Sequence, residues 1–104
     1  MYTTIRIYKG ANDLSKELTQ RGSEIEKLIT AVPGFKAYQL IHTHDGVASV
    51  TVCDDRAGCE KSNQVASDFI RQNFSSLKGT TPEVFSGDVS HTFGSMPTPV
   101  GANR

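Results

Sequence analysis

The hydrophobic positions of this chain change period along its length, and each change marks an element boundary. From Tyr2 to Lys9 the residues alternate, Ile5 and Ile7 pointing one way while Tyr2, Thr4, Arg6 and Tyr8 point the other, which predicts a strand with one strongly apolar face. After Gly10, Leu14, Leu18, Ile25, Leu28, Ile29 and Val32 recur at helical spacing behind a capping Asn12 or Asp13. Gly22 interrupts this helix. Ser23 and Glu26 have the spacing of a capping box, so a kink or split is expected there. Pro33-Gly34 stops the helix, and Phe35 to Thr43 reads as a second strand. Asp45-Gly46 separates it from Val47 to Cys53, a run dense in Val; this is a strong hairpin signal and makes strands two and three antiparallel neighbours.

Asp54 or Asp55 can cap the next helix, which is expected to run to about Leu77 with Ala66, Phe69, Ile70, Phe74 and Leu77 on one stripe. Beyond the Gly79-Thr80-Thr81-Pro82 loop, Glu83 to Phe93 alternates as a fourth strand. The order β-α-β-β-α-β predicts an α+β, ferredoxin-like domain over residues 1–93: a four-stranded antiparallel sheet with both helices on one face. Gly94 to Arg104 is small, polar or proline and is expected to be a flexible tail. Strands one and three are central in this layout. Ile5, Ile7, Val50 and Val52 are therefore expected to meet the helices. Tyr2, Arg6, Tyr8, Gln39, Ile41, Ser49, Thr51 and Cys53 are left on the other face, which is too apolar and aromatic to stay fully in water.

Composition narrows the function classes. The chain has 104 residues, enough for one core and not two, with 11 basic side chains balancing 11 acidic ones and no long run of either sign. Nothing therefore favours a grip on nucleic acid or on an anionic membrane. The N-terminus does not have the pattern of a signal peptide and no apolar run is of membrane length, so a cytoplasmic protein is expected. Cys53 and Cys59 have neither redox-pair nor zinc spacing and read as reduced packing residues. Asn73-Phe74-Ser75 matches a glycosylation acceptor but falls inside a helix.

The helix ending in Val32-Pro33-Gly34-Phe35, the His44-Asp45-Gly46 turn and the strand Val47-Ala48-Ser49-Val50-Thr51-Val52 resemble the dimeric α/β-barrel superfamily over residues 2 to 93, in particular its antibiotic-biosynthesis-monooxygenase-like branch. The resemblance implies a homodimer that pairs sheet against sheet, with a cavity in each half. Activities in that superfamily include cofactor-free quinone-forming oxygenation, haem degradation, dechlorination and isomerisation, among which a fold does not choose. The haem degraders need an axial histidine on a helix beside the cavity, and neither helix here contains one.

With the polar sheet face assigned to that inter-sheet cavity, Arg6, Tyr8, Gln39, Ser49, Thr51 and His91 are the candidate ligand contacts, and Arg6 could hold an anionic group. Arg and Tyr are also what dimer interfaces collect. His42 shares parity with Tyr38 and Leu40 on the helix-covered side and His44 lies in the turn, so the three histidines are not expected to converge on a metal, and no cofactor is expected. Asp54 and Asp55 are better explained by capping than as an acid–base pair. Three readings follow: a protein binding a small apolar or aromatic molecule, a cofactor-independent monooxygenase acting on a phenolic substrate, or an assembly protein with no ligand.

Overall fold

The computed structural model describes residues 1–94. Its elements are β1 (Tyr2–Lys9), α1 (Asn12–Gln20), α2 (Gly22–Thr30), β2 (Phe35–Thr43), β3 (Gly46–Cys53), α3 (Arg56–Phe74) and β4 (Glu83–Asp88). The sheet order is β2-β3-β1-β4 and every pairing is antiparallel, which is the ferredoxin-like α+β arrangement. The expected tail over 94–104 lies outside the described residues apart from Gly94.

Local signals explain most boundaries. Asp55 caps α3 by accepting from the Gly58 backbone N–H at 3.0 Å. The first helix is split at Arg21, so α1 and α2 are separate. Neither has a side-chain cap, contrary to the caps expected from Asn12, Asp13 and Ser23. The break is held instead by the Arg21 side chain. Its guanidinium pairs with Glu24 through two hydrogen bonds and lies 5.2 Å from the centroids of both Phe69 and Phe74 on α3, so one residue ties the joint to the neighbouring helix. Two spans are shorter than expected: α3 stops at Phe74 and β4 at Asp88, because residues 89–94 have no ladder partner beyond Val89, whose N–H donates to the Met1 carbonyl.

The assignment of the two sheet faces is reversed from expectation. Thr4, Arg6, Tyr8, Val47, Ser49, Thr51 and Cys53 are buried and lie under the helices; Gly46 and Ala48 of β3 are buried as well. Ile5, Ile7, Val50 and Val52 point to the opposite, uncovered face together with Gln39, Ile41 and Phe85. The reason is volume: Tyr8 fills the space between sheet and helices and packs with Ala11, Leu14, Leu18, Ile25, Ile29, Val47, Ile70 and Phe74 in the main core.

A smaller core joins Val32, Cys53 and Cys59 where α3 meets the sheet. Both thiols are buried and Cys59 Sγ donates to the Tyr2 carbonyl at 3.4 Å. Burial pushes the Cys53 thiol up to about 11. A thiol is neutral when protonated, so a raised folded pKa favours the fold at low pH and that contribution is lost as pH rises. Urea midpoints are therefore expected to fall from about pH 9 towards pH 11, and to fall less steeply in Cys53→Ala. Equal slopes in the two proteins would show that Cys53 is not the linked group.

Candidate functional site

The site is built on the central strand. β1 runs between β3 and β4, and its register places Arg6 opposite Ser49 on one side and Val84 on the other. The Arg6 residue is only 3% exposed, and none of the ion pairs among the described residues includes it. A buried cation is costly unless it is compensated. What Arg6 has is a neutral partner: Nη1 donates to Asn63 Oδ1 on α3 at 2.5 Å, while Nε is buried with no acceptor. The hydroxyls of Ser49 and Thr51 on β3 are also buried and unpaired.

Above Arg6 lies a cavity between sheet and helices. Arg6, Tyr8, Tyr38 and Ser49 form its floor, and Ile25, Ile29, Phe69 and Ile70 line its apolar roof. The cavity has a volume of about 30 Å³ open to the centre of a water molecule, within about 370 Å³ of empty space that includes open solvent. That admits only a few water molecules, so an aromatic guest requires the roof helices to part. Burial raises the pKa of both the Tyr8 and Tyr38 phenols, and the Arg6 guanidinium beside them offsets this only in part. Both phenols are therefore protonated donors at neutral pH.

The six expected ligand contacts do not converge on one place. Arg6, Tyr8 and Ser49 meet at this cavity and Thr51 lies on the same face, but that face is helix-covered and not the inter-sheet one. Gln39 is on the uncovered face, where it pairs with Val50. His91 lies past the end of β4, exposed, bonded to Ser90 and stacked on Phe93, away from the group around Arg6. His42 is anchored to α1 by Ser15 Oγ at 2.6 Å and Thr19 Oγ1 at 2.9 Å. Because the Thr19 hydroxyl donates to the Ser15 carbonyl, it accepts from Nε2–H, which leaves Nδ1 to accept from Ser15. Among the described residues no three His, Cys, Asp or Glu side chains group as metal ligands do.

Asn63, Thr4, Ser86 and Tyr38 belong to the site and were not expected from the sequence. A signal for Asn63 exists: it sits between Cys59 and Ala66 at helical spacing, an amide on the stripe that α3 turns to the sheet. A polar residue on such a stripe needs a partner.

No family model and no curated protein matches this sequence. Solved structures do match its chain path. They include the haem degrader MhuD of Mycobacterium tuberculosis with two haems bound, which has a TM-score of 0.66 and 16% identity over 90% of this chain and 100% of that one. The chain has the fold of the dimeric α/β-barrel proteins. ActVA-Orf6, a monooxygenase of Streptomyces coelicolor solved with nanaomycin D, superposes with a TM-score of 0.60 and 16% identity over 93% and 91% of the two chains. SnoaB, a cofactor-independent oxygenase of Streptomyces nogalater, gives 0.58 and 13% over 90% and 95%. Proteins with this chain path thus differ in chemistry, and the residues of the cavity must carry any argument about activity. Among the described residues no helix is long and apolar enough to cross a membrane.

Proposed function

We propose that this chain is a cytoplasmic homodimer that binds a small, largely apolar or aromatic molecule in the cavity between its sheet and its helices. The observation that carries the reading is Arg6, a buried guanidinium without a carboxylate, set in the floor of an apolar cavity between two phenols. An isolated buried charge is tolerated where something else supplies the counter-charge, and a ligand with an acidic oxygen does so. Structures of this fold with manganese protoporphyrin IX and with nanaomycin D bound support a small-molecule reading.

A second reading, a cofactor-independent monooxygenase acting on a phenolic substrate, is favoured by the same arrangement. Arg6 stabilises a substrate phenolate, and the apolar roof keeps water from an electron-rich ring while dioxygen reacts with it. Binding and turnover are separable. The chain has no tryptophan, so the fluorescence of 1-naphthol reports on the cavity directly. Binding is expected in the wild type and is expected to weaken by about tenfold in Arg6→Met, given what a hydrogen bond to a charged group contributes. It is expected to vanish in Ala66→Phe, which fills the mouth. Equal affinity in all three proteins would place the ligand elsewhere, and oxygen uptake with the bound phenol would select the monooxygenase reading.

A further inference from the structure

Arg6 is more than a buried charge, because its surroundings decide which of its N–H groups can meet a ligand. Arginine has no acceptor, so the Asn63 atom facing Nη1 is Oδ1, and the amide orientation is fixed. Asn63 Nδ2 then faces Thr4 and donates to its Oγ1 at 3.1 Å. Thr4 Oγ1 also shares a 2.7 Å hydrogen bond with Ser86 Oγ, in which either hydroxyl can donate, and has Asn63 Oδ1 as an alternative acceptor at 3.3 Å. This relay leads from Arg6 through α3 and back across β1 to the surface on β4. Its first step, from Arg6 to Asn63, has one direction, because arginine has no acceptor and does not lose its charge in proteins.

The relay occupies Nη1 and leaves the other edge of the fork. On a planar guanidinium, Nε–H and the outward N–H of Nη2 are parallel and spaced for two oxygens. Nε is buried with no acceptor, and on the cavity side the guanidinium has only the phenols of Tyr8 and Tyr38 beside it. Resting on the ligand-binding reading above, we infer that Asn63 is a positioning residue that turns the Nε–Nη2 edge of Arg6 into the cavity, and that the ligand class is an aromatic molecule bearing a two-oxygen anion, a carboxylate or its vinylogous hydroxy-carbonyl equivalent. A neutral guest of the same shape leaves the edge unpaired. Discrimination by an unpaired buried polar edge is larger than discrimination by shape.

The test compares matched probes by NMR titration: 1-naphthoate against 1-naphthamide, with benzoate against benzamide as a smaller pair. The wild type is expected to prefer each carboxylate by about tenfold or more, the increment of a charge-assisted hydrogen bond. In Asn63→Asp the new carboxylate still accepts from Nη1 but neutralises the guanidinium, so the preference is expected to fall to near unity. Arg6→Lys keeps the charge and loses the fork, and is also expected to lose most of the preference. Loss of a merely structural residue lowers both affinities together and leaves the ratio unchanged. If the wild type binds amide and carboxylate equally, or if Asn63→Asp keeps the preference, the inference is overturned while the ligand-binding reading stands. If neither member of either pair binds, both are overturned.

Discussion

Replacing Gly46 by alanine is expected to lower the stability of this protein by about 3 kcal/mol or more, a large share of what a domain this size has. A Cβ at Gly46 would collide with the Tyr8 carbonyl oxygen and press on Ala11 at 3.2 Å. The backbone at Gly46, at φ +158°, is also one that residues with a side chain rarely adopt, so conformation adds to the lack of space. Nor can the neighbours move aside. Tyr8 lies in the central strand, its side chain is buried in the main core, and β1 is hydrogen-bonded to β3 on one side and β4 on the other. Ala11 is held from the same turn, its N–H donating to the Asp45 carbonyl at 3.0 Å. Relief of the clash has to open the β1–β3 ladder or lift α1 off the sheet.

Urea denaturation followed by circular dichroism measures the loss, and Gly22→Ala supplies the contrast. Gly22 opens α2, and a methyl group there would have nothing within 4 Å, so alanine is expected to be neutral or to add about 0.5 kcal/mol through helix propensity. Similar midpoints for Gly46→Ala and Gly22→Ala would mean that the hairpin yields where the packing says it cannot.

Gly46 also shows how the sequence was informative for an incomplete reason. Asp45-Gly46 marks the hairpin from turn chemistry alone, and the hairpin is there; that the glycine is also the point where α1 and β1 close over the turn is a tertiary fact. The reversal of the sheet faces has a different origin. Both faces of β1 and β3 carry enough apolar surface to be covered, and alternation identifies two faces without saying which one meets the helices. Part of the answer was nonetheless accessible. The hairpin register pairs His42 with Val47 and Leu40 with Ser49, so placing His42 and Leu40 under the helices places Val47 and Ser49 there as well. The β1–β3 register then carries Tyr8 and Arg6 to the same side. That second register is not legible from a single chain, since β1 and β3 are joined through two helices and another strand.

The candidate site divides along the same line. Arg6, Tyr8 and Ser49 were recognisable as residues of unusual character for their positions, and they do meet. Gln39 and His91 entered only through the assumed face and the assumed length of β4, and they fall away with those assumptions. Asn63 was hidden because its meaning depends on a partner 57 residues away. Arg21 was hidden in the same way: an arginine at a helix break reads as surface, whereas here its two ring contacts hold α2 against α3 at the edge of the cavity roof. A roof tied at one end and apolar along its length is suited to opening from the other, where Leu28 is exposed at the cavity mouth.

Ile5→Asp is expected to convert the homodimer proposed above into a monomer without unfolding it. The uncovered face carries Ile5, Ile7, Val50 and Val52 with Ile41 and Phe85, the last two 42% and 54% exposed, a patch with no helix above it. Ile5 lies at its middle, in a row that crosses all four strands: Gln39 beside Val50, Val50 beside Ile5, Ile5 beside Phe85. In a two-fold pair every substitution occurs twice, so two carboxylates enter one apolar interface, each at a cost of about 2 kcal/mol or more. Dissociation is then expected to strengthen by about a thousandfold or more. The side chain points away from the cavity and from the main core, so the circular dichroism spectrum and the affinity for 1-naphthol per chain are expected to persist. Sedimentation equilibrium decides the matter: wild type at twice the mass of one chain and Ile5→Asp at one supports pairing through this face, whereas an unchanged dimer in the variant would locate the interface on the helices and leave the aliphatic face to another partner.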